Sequence, residues 1–333
     1  MTAGEQPGSG AFAERPTTLD DAALLARLLN DAVRPYLGRD VMPVEVFDSI
    51  LRMPTLDPGR DGRVVLLDGQ PVAASIVAAH EPFGFARVYV AVPPHKARRA
   101  VAEAAFGCGL ATAHRRVELS PGTELLAEVP AGDEELKSVL ADLGFEHRFT
   151  SCEMHRELAA PLPAPQWPPD VTVTAMPTDV AALTRIGEAN REAFADHDGD
   201  HAMPVDDFVH MVRTAPTWRP DQSVVAWRGD RPVGLALNGI EEVEAGAVAG
   251  YVGFLAVRRE ARGTGLGRAL LLASFERMAA AGLSHVMLNV QLGNRSGADR
   301  LYRSVGMTPG AQEQTWGRSL GETTATTATT DRR

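Results

Sequence analysis

Only two cysteines occur in the 333 residues, Cys108 and Cys152. That count excludes a disulfide framework and a cysteine-built zinc site. Each thiol reads as a small apolar core residue. Long apolar runs are lacking too, and no stretch approaches the roughly 20 residues that span a bilayer. The opening MTAGEQPGSGAFAER has no basic segment followed by an apolar one, so no signal peptide is read there and a cytoplasmic location is the expectation. Cationic charge is in short supply: 33 Lys and Arg face 43 Asp and Glu, a formal net charge of −10. Phosphate contacts need the opposite balance, so neither nucleic acid nor a membrane is an expected partner. An acidic surface suits an amine-bearing ligand better.

What is present is core material for two domains, with 44% hydrophobic residues over a length that corresponds to domains of roughly 100–200 residues each. Residues 1–15 lack periodicity and read as a flexible arm. The Thr/Ala-rich stretch 321–333 reads as a disordered tail. Pro161, Pro163, Pro165, Pro168 and Pro169 crowd one segment, which excludes a helix or inner strand and predicts a stiff linker over 159–170. Two pieces remain, 16–158 and 171–320, and they repeat one grammar. Each opens with a capped apolar-periodic helix, TTLDDAALLARLLNDAV or AMPTDVAALTRIGEANREAF. A hairpin follows, turning at Asp68-Gly69 or Gly229-Asp230. Then come a β-rich run, RVYVAVPP or YVGFLAVRR, an Ala/Leu-rich helix and a closing Gly-hydrophobic pair. Matching features stay about 160 residues apart, a domain-length repeat that indicates duplication and fusion. Strand and helix alternate after an antiparallel start, which predicts an α/β fold with a mixed sheet flanked by helices in each half.

Chemistry concentrates in VGFLAVRREARGTGLGRALLLASF, residues 252–275. A strand runs into Arg262-Gly263-Thr264-Gly265-Leu266-Gly267 and a strong helix follows. Glycines allow positive φ and close backbone approach. Amides at a helix start favour an anion, with Arg262 and Arg268 adding charge, so the expected ligand group is a pyrophosphate. A dinucleotide fold would place such a loop after the first strand, with an acid about 20 residues on. A P-loop would need Gly-Lys-Ser/Thr, which is absent. Arg262, Gly265 and Gly267 instead fit the Arg-x-x-Gly-x-Gly signature of the GCN5-related N-acetyltransferases (GNAT). Further on stand Asn294-Arg295-Ser296-Gly297-Ala298, Leu301-Tyr302 and Val305-Gly306-Met307, which resemble that superfamily's second motif.

The resemblance covers about 150 residues from 171 on and implies two tandem GNAT-like domains, the second an acetyl-CoA-binding catalytic one. It implies that backbone groups of Leu255, Ala256 and Val257 pair with the pantetheine arm as an added strand. It assigns the pyrophosphate to the loop Arg262, Gly263, Thr264, Gly265, Leu266, Gly267 and Arg268, and a cofactor hydrogen bond to Asn294. Tyr302 stands where the superfamily's general acid protonates the departing thiolate. A base is not evident on the strand, where Tyr251 and Gly253 stand instead of an acid. The nearest acids are Glu241, Glu242 and Glu244 in the hairpin before it, and Glu242 and Glu244 are the candidates for base or amine binding. Asp196, His197 and Asp198, together with Tyr251, are candidates for the acceptor wall. The expected acceptor is a small amine, no metal is expected, and a monomer or homodimer is the expected state.

In the first half the equivalent loop, Val92 to Ala100, has no glycine, and the later Asn and Leu-Tyr are missing. That half reads as a degenerate copy which supports the second or walls its cleft. The tandem layout resembles the mycothiol synthases, which acetylate the cysteinyl amine of a glucosaminyl-inositol thiol precursor. Antibiotic-modifying or protein N-acetylation, and a non-catalytic acyl-CoA-binding module, remain the alternatives.

Overall fold

The computed structural model describes residues 11–80, 85–117, 122–159, 162–195, 203–244, 247–293 and 297–321. The first half runs β1 (Phe12–Pro16), α1 (Ala22–Leu37), α2 (Val44–Leu51), α3 (Pro58–Asp61), β2 (Gly62–Leu67), β3 (Gln70–His80), β4 (Phe85–Ala91), α4 (Arg98–Val117), β5 (Glu124–Pro130), α5 (Glu134–Asp142) and β6 (Glu146–Glu157). The second repeats it as β7 (Thr172–Ala175), α6 (Val180–Phe194), α7 (Val205–Thr214), β8 (Val224–Arg228), β9 (Arg231–Glu244), β10 (Ala247–Val257), α8 (Leu266–Ala280), β11 (His285–Gln291), α9 (Ala298–Ser304) and β12 (Thr308–Ser319).

Local chemistry accounts for these elements. Asp179 caps α6 by accepting from the Ala182 amide, and Asp133 caps α5 through Leu136. The β2–β3 hairpin turns on Asp68 and Gly69, both at positive φ, the geometry of a tight two-residue connection. Apolar faces then bury against the sheet. Val101, Ala105 and Phe106 of α4 meet Val88 and Leu125, while Leu271 and Phe275 of α8 meet Val286 and Leu288.

All strands join one sheet in the order β1-β2-β3-β4-β5-β12-β6-β11-β10-β9-β8-β7. Its centre is interleaved. β12, from the second half, lies between β5 and β6 of the first, and β6 lies between β12 and β11. The halves 16–158 and 171–320 are therefore repeats in sequence but share a sheet in space, each completing the other's middle. Two expectations change. The arm 1–15 is ordered at its end, because Phe12–Pro16 pairs antiparallel with β2 from Phe12↔Leu67 to Pro16↔Arg63. The acids placed in the second hairpin belong to the strand β9 itself, which continues to Glu244. Residues 162–171 form neither helix nor strand, and Trp167 packs on the second half's core. The tail beyond Gly321 lies outside the described residues. Among the described residues no helix is long and apolar enough to cross a membrane.

Candidate active site

β10 is the strand on which the site is built. Along one edge it pairs with β9 as far as Val257↔Gly234. Along the other it pairs in parallel with β11 only at Gly250↔Val286 and Tyr251↔Met287. β11 continues to Gln291 but pairs there with β6. The two central strands thus part after Tyr251, and among the described residues the β11-facing edge of Val252 to Val257 has no strand neighbour. A register irregularity between Val252 and Phe254 marks the parting point. Gly253 sits in it because a Cβ there would lie 2.2 Å from the Trp218 ring. That ring is flanked by Tyr251 at 6.1 Å and Phe254 at 6.2 Å between centroids.

Beyond Val257 the chain is tied down and then freed. The buried Arg258 donates its amide to Val233 O at 3.0 Å and its guanidinium pairs with Glu192 of α6 at 2.9 Å. Gly263 and Gly265 take φ of +76° and +84°. A side chain would meet nothing within 4 Å at either position, so it is the backbone conformation that requires glycine. The first amide of this stretch with a backbone acceptor is Ala269, which bonds Gly265 O at 3.0 Å. Among the described residues the N–H groups of Gly263, Thr264, Gly265, Leu266, Gly267 and Arg268 have no backbone acceptor. They form an open row at the start of α8, where the helix dipole adds positive potential. The Thr264 hydroxyl closes the turn internally on Ala261 O at 2.8 Å. Arg262 donates to Val257 O at 3.1 Å and to Ala193 O at 2.7 Å, so its side chain fastens the loop to β10 and α6.

Tyr302, on α9, is buried among Val252, Leu288 and Val305. Leu301 beside it reaches the loop, its Cδ2 standing 3.6 Å from where a Gly267 Cβ would be. Burial pushes the Tyr302 phenol up to about 12, which keeps the proton on at any working pH.

The second feature is a cavity of about 420 Å³ between the halves. The α1–α2 loop and α2 supply one side, including Met42 and Ile50; α7, β9 and β10 supply the other, including Met211, Glu241 and Tyr251. Strand alternation puts Glu241 on the same face as Gly239, the residue paired with Tyr251. Glu241 sits in an acid-rich floor. Arg39, buried and delivered directly after α1 ends at Gly38, donates to Glu153 at 2.6 Å and to Glu241 at 3.5 Å. Burial pushes the Glu241 carboxyl up to about 7; Arg39 opposes the rise and Glu153 adds to it. Glu313 of β12 is likewise pushed up to about 7, first by burial and then by Glu128 and Glu153. The Tyr251 phenol is raised by burial first and then by Glu241, while Asn289 of β11 opposes the rise.

Of the acids singled out in the sequence, Glu242 also lines the cavity but is exposed, and Glu244 closes β9. It is their neighbour Glu241 that takes the half-buried position beside Arg39. Asn294, Asp196, His197 and Asp198 lie outside the described residues. Arg39, Glu153, Trp218, Asn289 and Glu313 were not legible as site residues, because only tertiary pairing joins them; Arg39 and Glu241 stand 202 positions apart. In the first half, the loop before α4 is occupied by its own side chains. Arg98 donates to Asp133 at 2.6 Å, Glu135 at 3.2 Å and Val92 O at 3.4 Å, and Arg99 pairs with Glu103 and Asp142.

Residues 188–307 match the acetyltransferase (GNAT) family. A mycothiol acetyltransferase of Nocardia farcinica is 31% identical over 263 residues, covering 74% of this chain and 84% of its own length. The chain belongs to the GNAT acetyltransferase family. The split β10 and its glycine loop fall within the matched residues. A mycothiol acetyltransferase of Thermobispora bispora is 35% identical over 172 residues, and the chain spans 57% of that relative's length. The fold also matches a solved tandem GNAT protein from the clavulanic acid biosynthesis pathway, with a TM-score of 0.67 and 18% identity over 93% of this chain and 99% of that one. GNAT tandem architecture is therefore shared where the sequences have largely diverged.

Proposed function

We propose that this GNAT chain transfers acetyl from acetyl-CoA to the primary amine of a small molecule held between the halves. The single observation that carries this is the juxtaposition of the unpaired edge of β10, the row of open amides that follows it and the half-buried Glu241 carboxylate on the neighbouring β9. The unpaired edge of Leu255 to Val257 suits an extended amide chain, which adds as a strand. The amides of Gly263 to Arg268 suit a pyrophosphate. Acetyl-CoA supplies the activated thioester. Glu241 accepts the proton of the attacking amine as the new C–N bond forms. Its elevated pKa, about 7, is close to working pH, where a base is most effective. Strand amides near Leu255 stabilise the charge that develops on the carbonyl oxygen. Tyr302 gives its proton to the sulfur as the C–S bond breaks. The proton on Glu241 leaves to solvent, Tyr302 regains one, and the products are an amide and a free thiol.

The relatives carry the name mycothiol acetyltransferase, which supports the cysteinyl amine of a mycothiol precursor as a second acceptor reading. The test is thiol release from acetyl-CoA across a panel of amines. Glu241→Gln and Tyr302→Phe should each lower kcat by roughly 10²-fold, within the range for a proton-transfer group, while acetyl-CoA still binds. Tight acetyl-CoA binding with no amine able to release thiol would overturn the reading.

A further inference from the structure

The composition of the cavity says what kind of amine it takes. Its wall is largely apolar, formed by Val41, Met42, Ile50 and Met53 from the first half and Met211 and Trp218 from the second. Its few polar side chains are mostly engaged with the protein. The Asn30 carbonyl oxygen accepts from the Val41 and Met42 amides at 2.9 Å each, and its amide nitrogen donates to Met42 O at 2.9 Å. Ser49 shares a hydrogen bond with Thr214 at 2.7 Å and Asp40 accepts from Nε and Nη2 of Arg34. The half-buried carboxylate facing this wall, Glu241, meets Arg39 at 3.5 Å.

Such a lining discriminates by desolvation. A hydroxyl-rich acceptor would give up its water against methionine, isoleucine and tryptophan and find few donors or acceptors in exchange. Each unreplaced hydrogen bond costs affinity. An apolar body would gain by leaving water, and an ammonium at one end would meet the half-buried Glu241 carboxylate. The cavity lies within the range of small-molecule sites, about 300–1,000 Å³, and its lining is apolar around the carboxylates of Glu241 and Glu242, with Asp40 held by Arg34, so its charge is acidic throughout and suits an ammonium.

Resting on the acetyltransferase reading above, we propose that the acceptor is an amphipathic primary amine, with its ammonium at Glu241 and its apolar body against the wall that the first half supplies. On this view the degenerate half keeps a function: residues 41–53 set acceptor choice. The polar glycoside amine of a mycothiol precursor is the competing acceptor chemistry, and it makes the opposite prediction.

The test begins with binding, which is independent of turnover. Calorimetry on the intact protein, without acetyl-CoA, compares 2-phenylethylamine with glucosamine, two primary amines of similar size. The aromatic amine should bind at least about tenfold more tightly, as expected where an apolar pocket discriminates by its contacts. Met53→Gln, which keeps side-chain length, and Ile50→Thr should each reduce that preference severalfold. Acetyl-CoA binding by both variants shows that they remain folded. Equal or tighter binding of glucosamine, or binding of neither amine, overturns the proposal. A preference that survives both wall substitutions also overturns it, since the cavity would not be its source. Selective binding of the aromatic amine without thiol release from acetyl-CoA leaves this inference standing and sinks the acetyltransferase reading instead.

Discussion

Glu241 and Arg39 show what one partly buried ion pair does to a reaction. The carboxylate needs to be ionised to accept a proton, yet burial favours its neutral form. Arg39 restrains that effect, and the charged or titratable groups around the pair are Glu153, Tyr251 and Glu313, with His155 bonded to Glu153 at 3.2 Å. The rate at limiting substrate should therefore rise with pH through an inflection near 7, the pKa of Glu241. Arg39→Met should move the inflection upward by about one unit or more, since an opposite charge this close favours the ionised form. A variant that lowered the rate at every pH and left the inflection in place would mean that Arg39 only braces the fold. Glu313 gives a stability counterpart. Its folded pKa, about 7, exceeds the ordinary 4.5. Between those values the folded state holds a proton that the unfolded chain has released, so stability falls as pH rises through the window. Glu313→Gln should flatten the fall in urea midpoint between pH 5 and pH 8, and identical profiles would refute this account. At this scale Tyr302 and the glycines were legible because their motifs are contiguous. Glu241 was seen only as one of three adjacent acids, because strand register and Arg39 choose among them.

The element that carries most of the chemistry is the turn from β10 into α8. Its sequence was legible in full: alternating strand, glycine loop and Ala/Leu helix obey local rules. The parting of β10 from β11 was not, since a strand's pairing range depends on its neighbours and the Trp218 ring that requires Gly253 comes from a loop 35 residues upstream. Short elements were also missed. β1 and β7 are brief edge strands, and α2 and α7 follow Pro43 and Pro204 without a side-chain cap. The prediction that belongs to this scale concerns Gly265, which holds φ of +84° at the N-cap of α8. Gly265→Ala would meet no neighbour within 4 Å, so only the left-handed backbone resists it, at a cost of about 1–2 kcal/mol. The fold should persist with a modestly lower Tm, while acetyl-CoA affinity, read by calorimetry, should fall by at least about tenfold as the amide row relaxes. Unchanged affinity would mean that these amides do not form the phosphate cradle. Ala97 is the control: its loop is filled by Arg98 and its partners, so Ala97→Gly should leave affinity where it was.

Across the whole molecule, duplication was readable from the repeat but interleaving was not. Each half has its own strands and helices in order, and nothing local records that β12 inserts between β5 and β6. The consequence is energetic. β12 pairs with first-half strands on both sides, from Glu313↔Pro130 to Ser319↔Glu124 and from Thr308↔His155 to Gly317↔Glu146. β11 finds its antiparallel partner in β6 along its full length, from His285↔Glu157 to Gln291↔Ser151. Removing the first half strips β12 of all its pairing and leaves β11 with only the short contact to β10. Long unpaired central strands expose both backbone groups and apolar faces, and they aggregate. The cavity would also lose one wall and Glu241 would lose Arg39. A fragment comprising residues 162–333 should therefore be insoluble or lack cooperative unfolding, whereas the same fragment co-expressed with residues 1–161 should assemble into a species of full-length mass with activity restored. Size-exclusion chromatography and circular dichroism decide it. A monomeric second half that unfolds cooperatively and binds acetyl-CoA alone would show that the shared sheet is dispensable. The alternative then would be that the degenerate half was retained for its wall of the acceptor cavity and not for the fold.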